Sequence, residues 1–127
     1  MINIMPFLLG EMLPTDEYKF ALYAGTPPTI KYRKSGEVVA VGYDQGGKIL
    51  NSPTYGKYER GAWVNFSGKL VWQDATISAS GGIIYNVRTG TVVTSITFDE
   101  VISSTNHEFV VELRPDSDPL ISITYQE

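Results

Sequence analysis

The chain has no cysteine, a single histidine, and no apolar run that approaches the ~18 residues a membrane-spanning helix needs. Without cysteine there is neither a disulfide framework nor a thiolate metal site. One histidine, His107, cannot build a histidine-rich metal centre. The opening residues 1–10 are apolar, but no Lys or Arg precedes the apolar run and Pro6 interrupts it, so neither a signal peptide nor a membrane span is expected. A basic stripe is missing as well. The net charge is −4 and the isoelectric point is near 4.9, which argues against nucleic acid as a partner, because phosphate binding needs clustered Lys and Arg. The negative charge is concentrated late in the chain, with residues 1–98 at +2 and residues 99–127 at −6.

What is present points to one folded domain rich in sheet. At 127 residues the chain can bury roughly two-thirds of its unfolded surface, and 43% hydrophobic against 19% charged residues excludes a disordered tail. Twelve glycines, seven prolines and eight tyrosines, with many Val, Ile and Thr, favour strands joined by tight turns. Short strand-like runs recur at spacings near 8–12 residues, from residue 18 to residue 125, and no long helix alternates with them. The expected fold is all-β, an antiparallel β-sandwich of jelly-roll-like topology over residues 17–127, with Trp72, Ile77, Ile84, Val93, Phe109 and Val111 in its core. Residues 18–24 read as a half-buried strand, residues 29–34 as an exposed edge strand or extended loop, and residues 37–41 as a further strand.

Residues 1–16 differ from the rest. Ile4, Phe7, Leu8 and Met12 fall on one helical face, and Gly10 and Pro14 limit such a helix to about two turns. The expectation is a short N-terminal helix packed on the sandwich edge, or an apolar arm that docks on a neighbouring subunit. Gly46, Gly47, Gly81 and Gly82 lie within strand-like runs, where glycine marks a bend or the close approach of another backbone.

Chemistry is harder to find. His107 sits in a polar loop with no nucleophile or orienting acid indicated beside it. Asp116 and Asp118 have the spacing that can begin a calcium site but lack the further oxygen ligands, so a turn capped by their side chains is expected. No catalytic residue, metal or cofactor is expected. Tyrosines crowd the first half of the chain, and the clusters around Tyr32 and Arg33 and around Tyr58 and Arg60 read as an exposed face of mixed charge available to a partner.

Five pieces occur in one order: residues 18–23 (YKFALY), 36–38 (GEV), 42–50 (GYDQGGKIL), 72–86 (WQDATISASGGIIYN) and 96–99 (ITFD). Together they resemble a family of small β-sandwich structural proteins of tailed bacteriophages, over about residues 17–125. The chain departs from that pattern in having Ala79-Ser80-Gly81 where the family often has Ala-Arg-Gly, and Phe98-Asp99-Glu100 where it often has Asp-Phe-Gly. The resemblance implies a non-enzymatic virion protein made in the host bacterial cytoplasm. It implies a capsid cement or decoration protein on the head exterior, with the major capsid protein as partner. The alternatives are a tail, baseplate or fibre component and a carbohydrate-binding β-sandwich. A small protein on a closed shell gains from self-association, so a homo-oligomer is expected, with a trimer favoured over a dimer. Ile4, Phe7, Leu8 and Met12 would then swap between subunits or anchor to the shell.

Overall fold

The computed structural model describes residues 2–4, 16–50, 54–58, 61–113 and 121–125, with side chains described for residues 16–50 and 66–113. Its elements are strands: β1 (Ile2–Ile4), β2 (Tyr18–Tyr23), β3 (Lys48–Ile49), β4 (Thr54–Tyr58), β5 (Gly61–Asn65), β6 (Gly68–Ala75), β7 (Ser78–Asn86), β8 (Val92–Ser103), β9 (His107–Leu113) and β10 (Ile121–Tyr125). All pairings are antiparallel. They form a four-stranded sheet in the order β3-β2-β7-β8, a three-stranded sheet β10-β9-β6, and a small sheet β1-β5-β4.

One long hairpin organises the two larger sheets. Its legs are β6 running into β7 and β8 running into β9, and their partners continue in order from Tyr85↔Val92 near the turn to Gly68↔Leu113 at the open end. Halfway along, both legs bend, so β7 and β8 lie in one sheet while β6 and β9 lie in the other. Ser104 is buried at this corner and stitches it together. Its backbone N–H donates to the Ile77 carbonyl (2.8 Å), its hydroxyl donates to the Ala75 carbonyl (2.8 Å), and the Ile77 N–H donates to its Oγ (3.4 Å). A bulge after Trp72 puts two residues of β6 opposite one of β9, and Asp74 takes up the bend at φ 50°.

Folding the hairpin over brings its inward side chains together. Phe20, Leu22 and Ile84 from the first sheet meet Leu70, Trp72, Phe109 and Val111 from the second in one buried cluster. Five of the six expected core residues (Trp72, Ile77, Ile84, Phe109 and Val111) are buried, each large side chain contributing about 1.5–3 kcal/mol. Val93 packs against the cluster but is only partly buried, because it is the extra residue where Ile84 pairs with Thr94 and Tyr85 with Val92 on an edge strand.

Three local expectations are corrected. Strand β2 is not half-buried: Phe20 and Leu22 face the sandwich, while Ala21 and Tyr23 belong to a second cluster with Ile83, Tyr85 and Val92. From residues 24–47, Pro27, Tyr32 and Gly46 lie over that outer face while Val38 and Tyr43 join the sandwich cluster, so β2 and β7 are buried on both sides. Residues 37–41 form no strand. Glu37 makes an isolated bridge to Tyr23 and the Val38 N–H donates to the Leu22 carbonyl, but Val39 and Val41 then turn out to solvent, 96% and 71% exposed. Residues 29–34, expected as an edge strand or an extended loop, take the loop form, tied to the sheet by a bridge between Lys31 and Thr91. The expected N-terminal helix or arm falls mostly outside the described residues. Ile2–Ile4 is a strand, pairing Ile4 with Ala62 of β5, so Ile4 does not start a helical face, while Phe7, Leu8 and Met12 lie outside the described residues.

Candidate functional site

The most organised polar assembly lies where residues 24–47 meet the sheet. Glu37 is only 5% exposed, and both carboxylate oxygens are engaged. The Tyr32 hydroxyl donates to Oε1 at 2.5 Å, and Oε2 accepts from the Tyr43 hydroxyl at 2.5 Å and the Gly46 N–H at 2.7 Å. The network extends outward in both directions. Tyr43 Oη accepts the Leu22 N–H (3.0 Å), the Tyr85 hydroxyl donates to the Gly46 carbonyl (2.6 Å), and the Tyr23 hydroxyl donates to the Arg33 carbonyl (2.5 Å). The Tyr32 ring stacks on Tyr85, with centroids 4.6 Å apart, and Tyr43 stacks on Trp72 at 6.0 Å.

Burial and the Glu37 carboxylate set the state of these phenols. Desolvation, with the hydrogen bond to Glu37, pushes Tyr32 and Tyr43 far above the ordinary tyrosine range. Desolvation and the Glu37 charge push Tyr85 up to about 12, and desolvation raises Tyr23 as well. All four stay protonated and serve as donors. A carboxylate already accepting three hydrogen bonds offers little to a substrate. The chemistry available is that of a lock holding residues 24–47 against the sheet.

Two of the glycines singled out in the sequence belong to this lock. Gly46 (φ 95°) supplies both the donor to Glu37 and the acceptor for Tyr85. Gly47 sits at φ 85°, and a Cβ there would lie 1.9 Å from the Phe20 carbonyl oxygen. A Cβ on Gly81 would meet the Ile96 carbonyl at 2.4 Å, and one on Gly82 the Phe20 ring at 2.7 Å. These are places of close approach in the sheet.

A second polar assembly fixes the hairpin turn. The buried Asp16 carboxylate accepts from Arg88 Nε (2.7 Å), Arg88 Nη2 (3.1 Å) and Asn86 Nδ2 (2.8 Å). Asn86 Oδ1 in turn accepts the N–H groups of Arg88 and Thr89, which closes the turn between β7 and β8.

His107 lies at the folded corner, in an open cleft of about 270 Å³ lined by Gln73, Asp74, Asn106, His107 and Glu108. Asn106, like Asp74, has a left-handed backbone, at φ 53°. Its N–H donates to Thr76 Oγ1 (3.2 Å). The lining carries carboxylates, amides and an imidazole, which offer hydrogen bonds to a polar ligand. Among the described residues no group of three His, Asp or Glu is placed to hold a metal ion.

Of the expected partner-binding residues, side chains are described for Tyr32 and Arg33. Tyr32 is a member of the lock and no free surface tyrosine, a correction that follows from its hydroxyl partner and its ring stacking. Arg33 is exposed and spans its own loop, with Nη2 donating to the Thr26 carbonyl (3.0 Å) and Nε to the Ser35 carbonyl (3.2 Å). The side chain of Tyr58 and all of Arg60 lie outside the described residues, as do Asp116 and Asp118. Glu37, Asp16 and Asn86 were not singled out from the sequence. For Glu37 the available signal was one acid at the head of an apolar run flanked by tyrosines. Comparison with known proteins adds nothing to this geometry: no family model, no curated protein and no solved structure matches the chain.

Proposed function

We propose that this chain is a non-enzymatic structural protein of a tailed-phage particle, a cement or decoration protein that binds the major capsid protein on the head exterior and stabilises the expanded shell. The observation that carries the reading is the loop of residues 24–47. Its base is fastened to the sheet by Glu37 and its tyrosines, while its tip presents Val39 and Val41, 96% and 71% exposed, with Ile49 (53% exposed) on the neighbouring strand β3. Exposed apolar side chains on a fixed backbone bind with little ordering cost. Repeated over a lattice, modest contacts of this kind add through effective concentration, and a protein that prefers the expanded shell stabilises it by mass action. The family resemblance over residues 17–125 supplies the context of the particle, and the buried polar groups of the two assemblies are engaged in holding the fold.

The test mixes the purified protein with expanded and unexpanded heads of the phage that encodes it, followed by sedimentation and cryo-microscopy. Saturable binding at lattice copy number to expanded heads, lost in Val39→Asp/Val41→Asp, is expected. A handful of copies confined to the tail would assign the chain to the tail, baseplate or fibre instead. A second reading, carbohydrate binding, is favoured only by the polar cleft around His107. That cleft has hydrogen-bonding groups but no aromatic platform in its lining. Glycan binding abolished by Glu108→Ala would establish it.

A further inference from the structure

We propose that the free edge of β8 is a self-association surface, at which two copies of this chain pair their β8 strands antiparallel about a two-fold axis through Ile96. Strand β8 ends the four-stranded sheet, and among the described residues nothing pairs with its outer side between residues 93 and 98. The segment reads Val93-Thr94-Ser95-Ile96-Thr97-Phe98, with no charge, proline or glycine. Edges of soluble proteins are usually blunted by charge, proline or a covering element, and an uncharged β-branched edge is a template for another strand. Both ends of the open stretch are defined. At one end Lys31 bridges to Thr91 and the Val92 N–H donates to the Ile30 carbonyl, so the chain's own loop fills the lane there. At the other the register breaks between Ala79↔Ile102 and Gly81↔Thr97, which frees residues 98–101 from regular pairing.

A second copy fits this window. Opposed residues in a continuous antiparallel sheet share a face, so the axis must pass through a residue, and centring it on Ile96 uses the window fully. Thr94 then opposes Phe98 and Ser95 opposes Thr97 of the other copy. Ile96 and Phe98, which pack against the sandwich core yet remain only partly buried, gain cover across the seam. Charge selects the same arrangement. The register carries the exposed Asp99 and Glu100 of each copy to the end where the other holds Lys31, whose Nζ donates to the Thr89 carbonyl (3.1 Å) and Thr91 Oγ1 (3.3 Å). The exposed Ile30 (74%) and Val101 (58%) flank that meeting point. The pairing joins two four-stranded sheets into one and needs no head, so it stands apart from the capsid reading.

The experiment uses the whole chain, which has no native cysteine. Opposed Cα atoms in an antiparallel pair lie about 4.5–5.5 Å apart, within disulfide reach. Ile96→Cys should therefore cross-link to itself under mild oxidation. Ser95→Cys and Thr97→Cys should each stay monomeric when oxidised alone and cross-link when mixed. In sedimentation, Lys31→Glu should weaken the dimer about tenfold, because symmetry repeats the lost contact, and adding Asp99→Lys/Glu100→Lys should restore it. All three charge sites are exposed, so folding is not at risk. The proposal is overturned by a wild-type monomer at every concentration, by cross-linking of Ser95→Cys alone, or by charge variants that leave the dimer unchanged. It is equally overturned if amide exchange finds residues 93–98 as protected in the monomer as in the dimer.

Discussion

Replacing Glu37 by alanine removes the acceptor of three donors at once, and the cost follows from how far each donor can reach water. The Gly46 N–H and the Tyr43 hydroxyl meet the carboxylate in a buried setting. Tyr32 is nearer the surface and can turn to solvent. A buried donor left without an acceptor costs about 1–3 kcal/mol, so two of them, with the lost packing, put the expected loss near 3–5 kcal/mol. For a domain of this size that corresponds to a fall in Tm of roughly 10–20 °C. Glu37→Gln keeps the shape and one acceptor oxygen, and the Tyr32 hydroxyl can rotate to accept from the new amide, so its loss should be about 1–2 kcal/mol. Urea unfolding followed by tryptophan fluorescence is a direct assay, because Trp72 stacks on Tyr43 within the same network. A Glu37→Ala variant that loses less than about 1 kcal/mol at an unchanged m-value would refute the claim that this carboxylate locks residues 24–47.

The raised tyrosines make stability fall in alkali. Their folded pKa values lie above the unfolded value near 10, so the folded state binds more protons above that pH; their contribution is complete below pH ~10 and is lost as pH rises toward the folded values, about 12 for Tyr85. Each such group should remove up to about 1.4 kcal/mol per pH unit in that window, and tyrosinate absorbance should show Tyr23, Tyr32, Tyr43 and Tyr85 titrating only as the protein unfolds. Gly47→Ala should cost more than the ~1 kcal/mol usual for this exchange, because the new methyl would lie 1.9 Å from the Phe20 carbonyl oxygen at a left-handed backbone, and a thermal melt within a degree of wild type would contradict that close approach. Trp72→Ala, at 2% exposure and in contact with Tyr43 and Phe109, should cost about 3–5 kcal/mol by urea titration.

The strands of the long hairpin were legible because their side chains obey a period of two against one core. Along β6, Leu70, Trp72 and Ala75 are buried while Lys69, Gln73 and Asp74 are exposed; in β7 and β9 the second face is covered too, and Val110 between Phe109 and Val111 is also buried. The loop of residues 24–47 was not legible by the same rule. The run from Glu37 to Val41 has the composition of a strand, but Gly36 and Gly42 at φ 84° turn the chain at either end, and only its first two residues reach β2. The lock was hidden for a different reason. Tyr32 and Tyr43 lie 5 and 6 residues from Glu37, but Tyr85 reaches Gly46 from 39 residues away, and no spacing in the chain announces that meeting. Tyr32, assigned to an exposed face, donates with Tyr43 to one buried carboxylate, because a loop long enough to cross a sheet carries its own polar groups into the interior and must satisfy them there. The same crossing decides which surface stays open. Within residues 24–47, Pro27, Tyr32 and Gly46 lie over the outer face of β2 and β7, and Ile30 to Tyr32 reach β8 only near residues 90–92, so among the described residues the half-buried, uncharged stretch beyond is left without a strand partner by the path of a loop that lies far earlier in the chain.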